Sequence, residues 1–275
     1  MATFDIIDAA GYGYQLAWRE KRYLARLATV PLFVQFCCLL VILLAGWGDR
    51  SLLSTMILLP SFFAAGWMLS HYVRLIFLDQ RWPFRPAGDP AADRQEMQDR
   101  AAGLMAGTLV FVISRFLTGG QTAWFFHLLD QVNQVSKVNP PQLSSTMAVV
   151  FLATMAVSLW AFRFMWFYIP AVLGYNLRQC VRDLRGIATS FYMIGLTIIC
   201  SIPVMGVQYL IASVAAAPYD LSHPAGLPLT FDIFLAMLDS IAETVIAFIA
   251  TGAMAYALYE MLGKKTGPAN DHKPR

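Results

Sequence analysis

Four stretches of this chain run for 22 residues or more without an aspartate, glutamate, lysine or arginine: residues 27–48, 51–73, 138–162 and 186–219. The hydrocarbon core of a bilayer is about 30 Å thick, and a helix crosses it in roughly 20 apolar residues. Backbone amides find no water there, so a crossing segment must pair them internally, as a helix does. One such window fits the buried helix of a soluble domain; four in 275 residues point to a membrane. Composition agrees, because charged residues make up 13% of the chain against about 25% in soluble domains.

The sequence predicts six spans, at Ala28–Trp47, Ser51–Leu75, Ala101–Thr118, Ser144–Met165, Ala188–Ser213 and Phe231–Met261. Their connections alternate in basic content. Arg19, Lys21, Arg22 and Arg26 precede the first span, and Arg74, Arg81, Arg85, Arg94 and Arg100 join the second to the third. Arg163, Arg178, Arg182 and Arg185 join the fourth to the fifth, and Lys264, Lys265, Lys273 and Arg275 follow the sixth. The opposite connections hold only Arg50 and Lys137. Basic loops stay on the cytoplasmic side, so both termini are expected in the cytoplasm. The expected location is the bacterial plasma (inner) membrane. The first span is expected to be an uncleaved anchor, because a polar arm precedes it and no A-x-A site follows.

Three parts follow: a cytoplasmic interfacial arm at residues 1–27, a six-helix transmembrane domain at residues 28–262 and a flexible basic tail at residues 263–275. In the arm, FDIIDAAGYGYQLAWREKRYLARL sets Phe4, Ile7, Tyr14 and Trp18 at helical spacing, which suits a helix lying in the inner leaflet. Gly119–Gly120 reads as a break. After it, Trp124, Phe125, Leu128, Leu129 and Val132 oppose Gln121, His127, Gln131 and Gln134, a second amphipathic helix at the outer surface. RWPFRPAGDPAADRQEMQDR reads as an exposed connection. Pro60 and Pro203 fall inside predicted spans, where each removes a backbone hydrogen bond. GYQLAWREKRYLARLATVP and GYNLRQCVRDLRGIATSF echo each other, a faint repeat relating the first two spans to the last two.

Ionisable side chains inside spans are costly and face a partner or a cavity, which makes Arg115, Asp239 and Glu243 the candidate site. Asp239 and Glu243 are four apart and share a helical face. Counting rise places Arg115 about 21 Å above the inner boundary and Asp239 about 10 Å below the outer one. These depths coincide, so an Arg115–Asp239 ion pair is expected, with Glu243 near the midplane. The pair either locks two spans together or forms a polar site for a proton, an ion or an anionic substrate. A second candidate is the stretch LWAFRFMWFYIPAVLGYNLRQCVRDLRG from Leu159. Its aromatics suit the headgroup boundary, where Arg163 is expected to snorkel. Beyond Pro170, Arg178, Arg182 and Arg185 oppose Leu177, Val181 and Leu184, a strip suited to anionic lipid headgroups.

No catalytic residue, cofactor or metal site is expected. There is no H-E-x-x-H, no G-x-S-x-G and no Cys/His cluster among Cys37, Cys38, Cys180 and Cys200. Ser114–Arg115, His127 and Asp130 follow the residue order of acid-phosphatase-type lipid phosphatases, but the intervals differ. His71 is expected to be a capping or interfacial residue. A net charge of +3 without a basic patch excludes nucleic acid as a partner.

The amphipathic arm, FYIPAVL followed by the basic LRQCVRDLRG, and the closing AYALYEMLG resemble a bacterial six-helix inner-membrane family. Its domain also occurs fused to glycerophosphodiester phosphodiesterases. The resemblance implies a fold and a membrane-domain role, and no chemistry. The chain is therefore read as an all-α polytopic membrane protein with six transmembrane helices and interfacial amphipathic helices. The expected role is non-catalytic: an interaction, assembly or lipid-contacting module. Its expected partners are membrane lipids with anionic headgroups and protein partners within the membrane. The alternative is a small secondary carrier using Arg115, Asp239 and Glu243.

Overall fold

A computed structural model describes residues 4–47, 51–84, 89–138, 145–184, 186–217 and 228–263; for some helical residues, chiefly 122–138 and 145–148, it describes the backbone alone. Among the described residues every regular element is helical: α1 (Ile6–Arg19), α2 (Lys21–Leu44), α3 (Ser51–Ile57), α4 (Leu59–Leu78), α5 (Pro90–Val138), α6 (Ser145–Ala161), a 3-10 turn (Phe162–Trp166), α7 (Tyr168–Val172), α8 (Leu177–Asp183), α9 (Ile187–Ala216) and α10 (Leu229–Gly263). Six described stretches are long and apolar enough to cross a membrane: Lys21–Leu44, Leu59–Leu78, Pro90–Gln121, Leu152–Val172, Ala188–Ala216 and Leu229–Met261. Each overlaps a predicted span. The protein is an all-α, multi-pass membrane protein.

The packed core gathers at one end of the bundle. Met68 to Ile76 of α4, Phe248 to Leu258 of α10, Trp166 to Val172 and the inward face of α1 meet there. Farther along, Ile202 and Met205 of α9 and Met237 and Ile241 of α10 are exposed, an apolar surface that acyl chains cover in a bilayer.

Small residues let α1 enter this core. A Cβ on Gly13 would stand 2.4 Å from the Ile249 carbonyl oxygen and 2.9 Å from the Ala253 nitrogen, so only glycine admits this approach of α1 to α10. Ala9 and Ala10 are buried beside it. The Asp5 carboxylate starts the helix by accepting from the Ile7 amide at 2.8 Å. This face differs from the one expected to bind the leaflet: Ile7 and Trp18 are 75% and 73% exposed. The face that docks is the Ala-Ala-x-x-Gly one, because helices pack through close backbone approach at small residues. Phe4 instead packs on Tyr192, and Tyr14 Oη donates to the Cys200 carbonyl at 2.7 Å. In the echoing segment, Gly174 takes a left-handed turn (φ 74°) before α8, whereas Gly13 lies within α1.

Other expectations are corrected. The second span divides at Leu58 into α3 and α4, and Pro60 sits in the first turn of α4, where its missing N–H forfeits no helical bond. Gly119–Gly120 does not break α5, whose 49 residues extend about 74 Å. The side-chain faces expected at 122–138 lie outside the described residues, as does the basic tail from residue 264. The connection read as exposed is exposed at most of its described residues; it becomes helical at Pro90, and at its end Arg100 is buried, with Nη2 donating to the Arg81 carbonyl at 2.6 Å. Arg163 does not snorkel. It is 2% exposed, donates from Nη1 to the Leu184 carbonyl at 2.8 Å and lies over the Trp160 ring at 4.5 Å. His71 is buried edge-on to Trp67, their ring centroids 4.6 Å apart, and its Nδ1 has no hydrogen-bond partner among the described residues.

Candidate functional site

Gly103 and Gly107 set α5 against its neighbours. A Cβ on Gly103 would meet the Val172 carbonyl oxygen at 2.5 Å, and one on Gly107 the Val172 Cγ2 at 2.1 Å. This G-x-x-x-G signal was legible in the sequence and was missed. Two turns on, Ser114 Oγ donates to the Phe164 carbonyl at 3.1 Å and ties α5 to the 3-10 turn. The next residue is Arg115, which these contacts aim into the bundle.

There Arg115 Nη2 lies 3.4 Å from Glu243 Oε1 of α10. Gln35 of α2 donates from Nε2 to Glu243 Oε2 at 2.5 Å. The Arg115 guanidinium also faces the Phe111 ring at 5.5 Å. One carboxylate thus links three helices. Asp239 does not pair with Arg115; its carboxylate accepts from Gln208 Nε2 of α9. Four residues advance a helix by about 6 Å and turn it about 40° beyond a full circle. That offset points Glu243 toward α2 and α5 and Asp239 toward α9, a distinction finer than rise counting resolves.

Arg115, Glu243 and Gln35 form the polar end of a cleft of about 720 Å³. Its walls include Leu39 of α2, Phe62 of α4, Met155 and Leu159 of α6 and Phe162 of the 3-10 turn. The cleft exists because α6 packs chiefly on α5, α9 and the 3-10 turn and stands away from α2 and α4. The division of the second span borders it too: Leu58 and Ser61 line the wall, and Ser61 Oγ donates to the Leu58 carbonyl at 2.8 Å. The Glu243 side chain remains 52% exposed and that of Arg115 30%. Asp239 is not part of the lining.

The basic strip separates differently from its expected pattern. Arg178 and Arg182 are exposed on α8, but Cys180 and Leu184 form the buried side and Val181 is exposed. Asn176 starts this helix, its Oδ1 accepting from the Arg178 amide at 3.0 Å. Arg185 lies outside the described residues. Among the described residues no three His, Cys, Asp or Glu side chains gather to hold a metal.

The chain matches no family model, no curated protein and no solved structure. The site's own chemistry points to binding. Its ionic groups are a donor fork and an acceptor carboxylate at one end of an apolar cleft, and the hydroxyls beside them, on Ser61 and Thr118, donate to backbone carbonyls.

Proposed function

We propose that this protein is a non-catalytic membrane module that holds a lipid in the cleft between α2, α4, α5, α6 and α10. The observation that carries the reading is the cleft itself: largely apolar walls with the ionic pair Arg115 and Glu243 among their lining, the outline of an amphiphile. Exposed Arg178 and Arg182 supply a second contact, with anionic headgroups of the cytoplasmic leaflet. The basic connections support a reading with both termini in the cytoplasm of a bacterial inner membrane.

Native mass spectrometry of the full chain, extracted in polymer discs with its surrounding lipid, tests the cleft. Retained lipid is expected on the wild type and should be lost from Met155→Trp, which fills the cleft wall. Equal retention by both would sink the reading.

A carrier is the second reading. Gln35 and Glu243 favour it, because both lie in the middle of their spans, the depth at which carriers bind substrate. Proteoliposomes that move a labelled phospholipid between leaflets, and that Glu243→Gln silences, would establish the carrier in place of a static module.

A further inference from the structure

We infer that the polar end of the cleft selects a zwitterionic phospholipid headgroup, with phosphate on Arg115 and ammonium on Glu243, over an anionic one. The inference rests on the cleft being a lipid site and names the lipid it takes.

The ion pair is open to a guest. Its 3.4 Å separation exceeds the roughly 2.7–2.9 Å of a close ammonium- or guanidinium-to-carboxylate contact. Among the described residues, only Nη2 of the Arg115 guanidinium has a hydrogen-bonding or ionic partner. Nε and Nη1, one on each side of Nη2, remain as donors that phosphate oxygens accept. Each Glu243 oxygen has one partner, Arg115 or Gln35, and keeps a lone pair for an ammonium donor. Both side chains are partly exposed, as a site that receives a headgroup requires.

Charge balance decides the class. Arg115 and Glu243 sum to zero, so a guest of zero net charge leaves the low-dielectric cleft neutral. An anionic headgroup would add an uncompensated charge beside Glu243, with the Asp239 carboxylate only one helical turn away. A purely cationic amphiphile would leave Arg115 without its phosphate. Leu39, Phe62 and Met155 then line the path of an acyl chain.

The test uses the full chain in nanodiscs of equimolar phosphatidylethanolamine and phosphatidylglycerol, each supplied in turn with a diazirine in its acyl chain. Crosslinks on the peptides carrying Leu39, Phe62 and Met155 are divided by those on Ile202 and Met205, which face lipid on α9. The expected result is a cleft enrichment of the ethanolamine lipid by roughly three- to tenfold, the range of one charge-assisted contact. Glu243→Gln should reverse the preference, and the exchanged pair Arg115→Glu with Glu243→Arg should retain it. Wild-type enrichment of phosphatidylglycerol, or equal labelling, overturns the headgroup inference and leaves the cleft reading standing. No cleft labelling by either lipid overturns both. The decisive comparison is made on the wild type, so a variant that fails to fold does not remove it.

Discussion

Arg115 on α5 reaches Glu243 on α10 at 3.4 Å, while Asp239, one turn earlier on the same helix, is held by Gln208 of α9. The two acids therefore belong to different helix contacts. Removing Arg115 leaves Glu243 with Gln35 alone, and replacing Glu243 as well removes the stranded charge. A double-mutant cycle of Arg115→Gln and Glu243→Gln, read from unfolding in detergent, should give a coupling of about 0.6–1.7 kcal/mol. Arg115→Gln and Asp239→Asn should be additive within about 0.5 kcal/mol. Equal coupling to both acids would show that α10 is rotated from the arrangement described.

Much of this was legible because lipid imposes blunt rules. Runs without charge mark four of the spans; the last two spans agree with the helices to within three residues, and the starts of the first four differ by seven to eleven. What the sequence left hidden was rotation and local packing. Asp239 and Glu243 share a stripe, and about 40° of rotation decides which one meets Arg115. Arg163 sits among aromatics at a span end, which suggests snorkelling; only the fold brings the Leu184 carbonyl within 2.8 Å of it. Gly119–Gly120 looks like a break because glycine weakens isolated helices, yet α5 continues through it. The cleft has no sequence signature at all, since it follows from α6 standing away from α2 and α4.

The Gly103-x-x-x-Gly107 crossing should be intolerant of side chains. Gly107→Leu places carbon where Val172 Cγ2 and Ser70 Oγ already lie, 2.1 and 2.7 Å from its Cβ. Overpacking of this kind costs about 1–3 kcal/mol, and the displaced α5 would carry Arg115 away from Glu243. Folded yield by size-exclusion chromatography should collapse. Gly120→Leu on the same helix, where a Cβ meets nothing within 4 Å, should purify normally. Matching losses from the two would remove the crossing as the cause.

Tyr12 makes the docking of α1 alkali-sensitive. Burial pushes its phenol up to about 12, with Arg19 opposing and Tyr256 adding to the shift. The ordinary tyrosine value is 10.0, so between about pH 10 and pH 12 the undocked state loses a proton that the docked state keeps. Stability is then full below pH 10 and falls as pH rises toward 12. The melting temperature of the wild type should drop relative to Tyr12→Phe across that interval, and the two curves should run parallel below it. A constant difference at every pH would exclude Tyr12 as the titrating group.

The hydrogen bond from Tyr14 to the Cys200 carbonyl joins α1 to α9 three residues before Pro203. Pro203 lies inside α9 and deprives the Ile199 carbonyl of its helical donor, a loss that bends helices, and the neighbouring Cys200 carbonyl takes a donor from outside α9. Tyr14→Phe should cost about 1 kcal/mol and speed amide exchange across residues 6–19. In a Pro203→Ala background the helix recovers its own donor and straightens, so the same substitution should cost less than half as much. If Tyr14→Phe costs the same in both backgrounds, the bond is independent of the bend. If the cost shrinks as expected, α1 holds the bend of α9, and its close glycine contact with α10 ties the docking of the arm to the two helices that carry Gln208 and Asp239.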